Sequence, residues 1–258
     1  MRLMESPLRS ARAAAVLAGA LASLAYANSL PNEFAYDDVH IITENPGIQS
    51  LDSIPRALTA PYWPGRFAVQ LGLWRPTTTL VLGLEYAVAG ENPVFYHVVN
   101  VVAHAVATAL VVLLLAELLS LAAAFAGGLL FAVHPVHVEA VANVIGIAEL
   151  LPAILYLLAC LLHLKGPRRT GWGRALALGA LYALAFGAKE SAVTLPAAIF
   201  LVDAARGRLG FAELPAHLRD RWRAYAVMAL VAVALLLMRF QVLGSIARPF
   251  GPLGADLL

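Results

Sequence analysis

The sequence predicts an all-α polytopic membrane protein. It is expected to have about seven transmembrane helices and a long first outer loop bearing short interfacial helices. Three observations predict this. Of the 258 residues, 61% are apolar and only 13% charged, about half the usual charged share. Apolar runs recur along most of the chain. The basic residues collect on one side of those runs. Such a chain cannot clothe itself in polar groups as a water-soluble globule must, and it is too apolar to be disordered. The net charge of +2 leaves no nucleic-acid footprint. The single cysteine, Cys160, lies in an apolar run and reads as a small buried hydrophobe. Arg outnumbers Lys 16 to 2. That bias suggests a GC-rich bacterial genome, and so a bacterial inner membrane.

The first span is 13–30, preceded by a cytosolic segment, 1–12, that holds Arg2, Arg9 and Arg12. Its 18 residues are long enough to cross. The Ala-Tyr-Ala at 25–27 also fits a signal-peptide cleavage site. The membrane character of the remaining chain favours an uncleaved helix.

Residues 31–93 form the outer loop, with turn chemistry at Pro31-Asn32, Asn45-Pro46-Gly47 and Pro61-Tyr62-Trp63-Pro64-Gly65. Leu51–Thr59 reads as a short helix capped by Asp52 or Ser53. Pro76–Ala89 reads as an interfacial helix with proline at its first position.

Six further passes are expected within 94–241, at Val94–Ala116, Leu121–Val133, Ala148–Leu164, Ala175–Ala188, Ser191–Asp203 and Ala224–Gln241. Three of them, 121–133, 175–188 and 191–203, fall short of the roughly 17 to 25 residues of a full span. An outer tail follows at 242–258. With the N-terminus inside, 12 of the 18 basic residues are inside, whereas 11 of the 16 acids are outside. Both basic loops, 165–174 and 204–223, fall inside, as the positive-inside rule requires. They share a side only if the chain turns back at Lys189-Glu190.

Ionisable residues beside apolar runs carry the chemistry. Asp37 and Asp38 follow the first helix. Adjacent carboxylates repel, which can tune one as a general base; a solvated loop pair is the plainer reading. Arg75, in Trp74-Arg75-Pro76, can clamp a phosphate or anchor the interface. His134 and His137 are three apart and can face one site, with Glu139 to orient an imidazole. Their spacing is not that of a zinc site. Glu149 opens the next span. Lys189 and Glu190 form a turn that either neutralises itself or offers a point charge to phosphate. His97, Asn100 and His104 share one helix face, which points into the bundle for a site or for helix–helix hydrogen bonds. All these groups fall on the outer side. A lipid-linked phosphate substrate fits such a cleft. A secondary transporter with a His/Glu/Lys relay and a non-catalytic scaffold are the competing readings; no internal repeat supports the former.

Five motifs, in order, resemble one family. They are Phe34-x-Tyr36-Asp37-Asp38 with Glu44-Asn45-Pro46; Trp74-Arg75-Pro76; Phe95-Tyr96-His97-x-x-Asn100-x-x-x-His104; Leu130–Glu139; and Ala188–Pro196. The chain thereby resembles the tetratricopeptide-repeat-containing membrane O-mannosyltransferases of the cadherin-targeting type and their bacterial relatives, over about residues 12–205. The wider group is the GT-C fold. The resemblance implies an inverting transfer of mannose from a polyprenyl-phosphate donor to a Ser or Thr hydroxyl of a protein, on the outer face of the membrane. Asp37 or Asp38 would be the base, and Arg75, Lys189 or a histidine would balance the leaving phosphate. Partners are then membrane lipid, the lipid-linked donor and a protein or peptide acceptor. No cofactor beyond the donor is called for, and a divalent metal is not predicted. Two departures stand out. Ile147 occupies a position where relatives often carry Arg. The chain also stops just after the seventh expected helix, so it is expected to be the membrane module alone.

Overall fold

The computed structural model describes residues 7–65, 68, 71–206 and 213–245. Most of the expected tail 242–258, and Arg2 and Arg208 of the expected inner segments, therefore lie outside the described residues. No strand occurs among the described residues. The α-helices are α1 (Pro7–Ala25), α2 (Pro76–Ala89), α3 (Pro93–Leu115), α4 (Leu121–Val133), α5 (Val138–Ala142), α6 (Ile147–Leu164), α7 (Trp172–Ala188), α8 (Leu195–Ala205) and α9 (Leu214–Leu243).

Among the described residues, four helical segments are long and apolar enough to cross a membrane: Ser10–Ser29, Pro93–Leu115, Val144–Leu164 and Leu214–Leu243. A fifth arises if Leu121–Val133 and Pro135–Ala142, bent by 47°, count as one broken span. Helix α7 is apolar but shorter, and α8 has only 11 residues. Four or five of the roughly seven expected passes thus meet the length criterion.

Local chemistry sets the helix limits. The Asn92 side chain accepts from Val94 N at 3.2 Å and Pro93 starts α3. Ser120 caps α4 through Ala123 N at 3.4 Å. Both free a donor-rich helix start from unpaired N–H groups. Helix α9 ends where Gly244 turns left-handed at φ 70°, a conformation that favours glycine. Helix α7 stops at Ala188; Lys189 is extended, and a 3₁₀ stretch, Glu190–Thr194, leads into α8.

Small residues allow close helix packing, as in membrane bundles generally. A Cβ on Gly19 of α1 would lie 2.9 Å from the Ala105 carbonyl oxygen of α3. Ala15, Ala18 and Val112 fill the contact around it. A second core joins α6 to α9 through Cys160, Leu178, Tyr182, Phe186, Ile199 and Met228. Cys160 is free and buried there.

The outer loop forms a cap on the bundle with its own core of Ile41, Ile42, Tyr62, Leu82, Tyr96 and Val144. Trp74 is buried and its Nε1 donates to Leu58 O at 3.1 Å. The expected short helix is a 3₁₀ helix, Leu51–Leu58. Its cap is Ser50, not Asp52 or Ser53: the Ser50 hydroxyl accepts from Asp52 N at 3.3 Å. Ser53 instead turns its hydroxyl back to the Gly47 and Ser50 carbonyls. The second expected loop helix is α2, Pro76–Ala89, fastened to the end of α7 by Thr78 Oγ1 donating to Ala188 O at 2.9 Å.

Ion pairs mark both ends of the bundle. Lys189 pairs with Glu149 at the start of α6. His163 Nε2 lies 2.6 Å from Asp203 Oδ2, joining the ends of α6 and α8. Glu149 and His163 are separated by about 21 Å at 1.5 Å per residue. The segments 172–188 and 190–205 therefore run antiparallel along the length of α6.

Candidate functional site

The acidic motif folds as a tight turn at the end of the first span. Asp38 N donates to Ala35 O at 3.0 Å, while Ala35 N donates to Asp38 Oδ2 at 3.1 Å. Tyr36 between them has φ 51°, rare for a residue with a side chain, and it is 90% exposed. The turn separates the two carboxylates. Asp37 faces outward and is exposed. Asp38 is buried. Its Oδ1 accepts from Ile145 N at 3.0 Å and its Oδ2 from Val144 N at 3.4 Å. Burial pushes the Asp38 carboxyl above its ordinary range, against the pull of its three backbone N–H partners. Asp38 is thus a clamp between the outer loop and the start of α6.

The polar face of α3 supports that clamp. His97, Asn100 and His104 are all buried. Asn100 Nδ2 donates to Asn143 O at 2.7 Å and to Val144 O at 3.0 Å, fixing the strand of chain that feeds Asp38. The His97 ring sits between the backbone of Asn32 and the charge of Asp38, both of which act on it. His104 Nε2 bonds Ala132 O at 3.0 Å.

His134 and His137 join an aromatic stack rather than a charged one. The His137 ring lies 5.2 Å from His104 and 4.3 Å from Phe131. His134 is exposed and caps the following 3₁₀ turn by accepting from Val136 N at 3.2 Å. Tyr26 holds this corner with its hydroxyl on His134 O at 3.3 Å. Glu139 is exposed and within electrostatic reach of Lys189.

The cations form the other wall. Lys189 does not pair with its sequence neighbour Glu190; it pairs with Glu149. Glu190 instead bridges two arginines: Oε2 accepts from Arg75 Nε at 3.3 Å and Oε1 from Arg239 Nη1 at 2.9 Å. Arg239 Nη2 also donates to Gly72 O at 3.1 Å. The Arg75 guanidinium stacks over Tyr62, 5.3 Å from the ring centre. Tyr62 joins the two walls. The charges of Arg75, Asp38, Asp37 and Glu190 all act on its buried, unbonded hydroxyl, and burial holds its ionisation above the usual range.

Arg239 and Tyr62 were not singled out from the sequence. Arg239 had a signal, as the first charge after 15 uncharged residues, 224–238. Tyr62 had none. Ile147 is buried in the loop core, 3% exposed, so that position presents no cation to the cleft. Among the described residues no three of the His, Cys, Asp and Glu side chains converge to hold a metal ion. A mostly apolar groove of about 400 Å³ opens beside Glu149, walled by Val111, Phe131, Pro152, Tyr156 and Leu157.

Fold and site together define a helical membrane protein with an acidic turn clamped to the start of α6 and a cluster of Arg75, Glu190 and Arg239 that joins three segments of the chain. Its sequence is similar to the TMTC protein O-mannosyl-transferases. It is 38% identical to Tmtc2 of Drosophila melanogaster over 200 residues, 74% of this chain and 21% of that protein. It is 38% identical to Tmtc1 of the same species over 178 residues, 68% and 21% respectively. With human TMTC2 the identity is 32% over 199 residues, 74% of this chain and 24% of the relative. The family resemblance read from the motifs therefore extends over most of the chain, although the chain spans about a fifth of the length of the curated relatives it matches. No family model matches it, and no solved structure matches it.

Proposed function

We propose that this chain is the membrane module of a glycosyltransferase, and that the sugar is mannose carried on a polyprenyl phosphate. The observation that carries the reading is the exposed Asp37 in the same outer loop as Tyr62, whose ring stacks under Arg75 of the Arg75–Glu190–Arg239 cluster, in a chain 32–38% identical to protein O-mannosyl-transferases. Asp37 is the general base. It takes the proton of an acceptor Ser or Thr hydroxyl as that oxygen attacks the anomeric carbon. The bond from that carbon to the phosphate oxygen breaks on the opposite face, and the polyprenyl phosphate leaves with the electron pair. The anomeric carbon is inverted in this single displacement.

Asp38 positions the turn, because its oxygens are already committed to three backbone N–H groups. Lys189 and Arg75 offer positive charge to the leaving phosphate where water is scarce and charge acts strongly. The groove along α6 accommodates the polyprenyl chain, since it is apolar and ends at Glu149, the partner of Lys189.

The same reading includes seven crossings. The two shorter segments 172–188 and 190–205 complete them, and the turn at Lys189 meets the outer leaflet. The N-terminus is cytosolic and the cleft faces outward, in a bacterial inner membrane. The test is incubation with labelled polyprenyl-phosphate mannose and a Ser/Thr peptide. Labelled peptide from the wild-type chain, and none from Asp37→Asn, supports the reading. Equal label from both refutes the assigned base.

A further inference from the structure

The membrane face opposite the acidic cleft carries a second constellation, which the transfer does not use. Loop 165–171 is fastened to the start of α9 at three points. Thr170 N donates to Asp220 O at 3.0 Å, Arg221 Nη1 to Pro167 O at 2.9 Å, and Arg223 Nη1 to Thr170 O at 3.2 Å. This junction presents Arg168, Arg169 and Arg219 around one carboxylate, Asp220, at 3.3, 3.2 and 3.9 Å. The three guanidinium side chains are 72–80% exposed, while Asp220 is 9% exposed. Three cations thus share one anion. Exposed pairs of this kind contribute little to stability, so folding alone does not account for the surplus charge.

Depth is set by two tryptophans. Trp172 and Trp222 meet edge to face at 5.4 Å, and Arg223 lies over both rings at 5.4 and 5.6 Å. Half-exposed tryptophans of this kind mark the membrane–water boundary. Arg219 is about one helical turn nearer the start of α9, which places the cluster at headgroup height. Arg221 and Arg239 lie about 27 Å apart along α9, close to the thickness of a hydrocarbon core. A cavity of about 390 Å³ opens beside Arg168 and Asp220, lined also by Gly166, Asp203, Glu213, His217 and Arg221. Its most buried acid, Asp203, is already engaged by Arg221 at 3.8 Å and by the His163 and His217 rings at 2.6 and 3.7 Å.

We propose that Arg168, Arg169 and Arg219 bind the phosphodiester of an anionic glycerophospholipid in the leaflet opposite the acidic cleft, with the headgroup alcohol turned into the cavity. Guanidinium groups hold phosphate oxygens in two-pronged fashion. The cavity, lined by both donors and acceptors, suits hydroxyl groups.

In the test, phosphatidylglycerol or phosphatidylcholine is titrated into the detergent-solubilised full chain and bound lipid is counted by native mass spectrometry. Phosphatidylglycerol binds preferentially. Its affinity falls about a hundredfold in R168Q/R169Q/R219Q, since each arginine at an anionic surface contributes roughly fivefold. Arg219→Gln alone, which leaves the loop–helix hydrogen bonds in place, loses roughly fivefold. Unchanged affinity in both variants, or equal binding of phosphatidylcholine, overturns the proposal. So does displacement of the lipid by equimolar inorganic phosphate, which would make this a site for free anions.

Discussion

Glu190, in the turn after α7, accepts a hydrogen bond from Arg239, near the far end of α9, at 2.9 Å. The same carboxylate holds Arg75 ahead of α2. One side chain thereby ties three separate segments into the wall of the cleft. Arg239 is almost buried, with its side chain 6% exposed, and Glu190 is an anion it pairs with there.

Glu190→Gln therefore leaves two arginines without their shared anion. Breaking a largely buried pair by removing one partner costs about 3 kcal/mol. The variant should unfold earlier in detergent, and Arg239→Met added to it should recover part of the loss. A single variant as stable as the wild type would show that the bridge is not needed.

Asp38→Asn should act on folding more than Asp37→Asn does. An amide at position 38 turns a donor toward backbone N–H groups that the carboxylate accepted, at a cost of about 2 kcal/mol. Asp37→Asn changes an exposed side chain and should leave the unfolding midpoint within experimental error. Equal destabilisation of the two would contradict the division of roles.

Gly146 lies in the 3₁₀ turn Val144–Gly146, whose Val144 N–H bonds Asp38. A Cβ there would collide with the Ala140 backbone carbonyl. Gly146→Ala should displace the turn, release Asp38 and lower stability by about 2 kcal/mol. Thermal unfolding and amide exchange of Val144 and Ile145 would read both effects.

Glu85 on α2 is 7% exposed, and burial pushes its carboxyl up to about 8 from 4.5. The folded chain therefore keeps a proton that the unfolded chain gives up. The stability this proton provides is full below about 4.5 and is lost as the pH rises through about 8. Glu85→Gln should remove that loss. The variant should gain on the wild type between pH 5 and 8 by roughly 1.4 kcal/mol per unit. Parallel pH–stability curves would mean that Glu85 is charged throughout.

The helices were the legible part of this fold, because long apolar runs and proline starts are local signals. Helix α2 begins at Pro76 and ends before Gly90, as its sequence indicates. The cap of the 3₁₀ helix was harder, since Ser50, Asp52 and Ser53 all have capping chemistry and only the backbone turn chooses among them. Pairing was least legible. Lys189 and Glu190 are neighbours, but Lys189 is extended, and successive side chains on an extended segment point apart. Each therefore finds a partner far along the chain. The separation of Asp37 from Asp38 depends on the left-handed Tyr36, which no residue preference foretells. The cluster of His163, Asp203, His217 and Arg221 unites three helices and had no signature within any one of them.

The central claim is that Asp37 is the base for sugar transfer from a lipid-linked donor. The direct measurement is the transfer rate from polyprenyl-phosphate mannose to a Ser/Thr peptide by wild type, Asp37→Asn and Asp37→Glu, each confirmed as folded by its unfolding midpoint. Asp37→Asn should lose at least about a hundredfold in rate, the usual scale of general-base catalysis, and Asp37→Glu should restore part of it. A folded Asp37→Asn chain that transfers mannose at the wild-type rate would contradict the account.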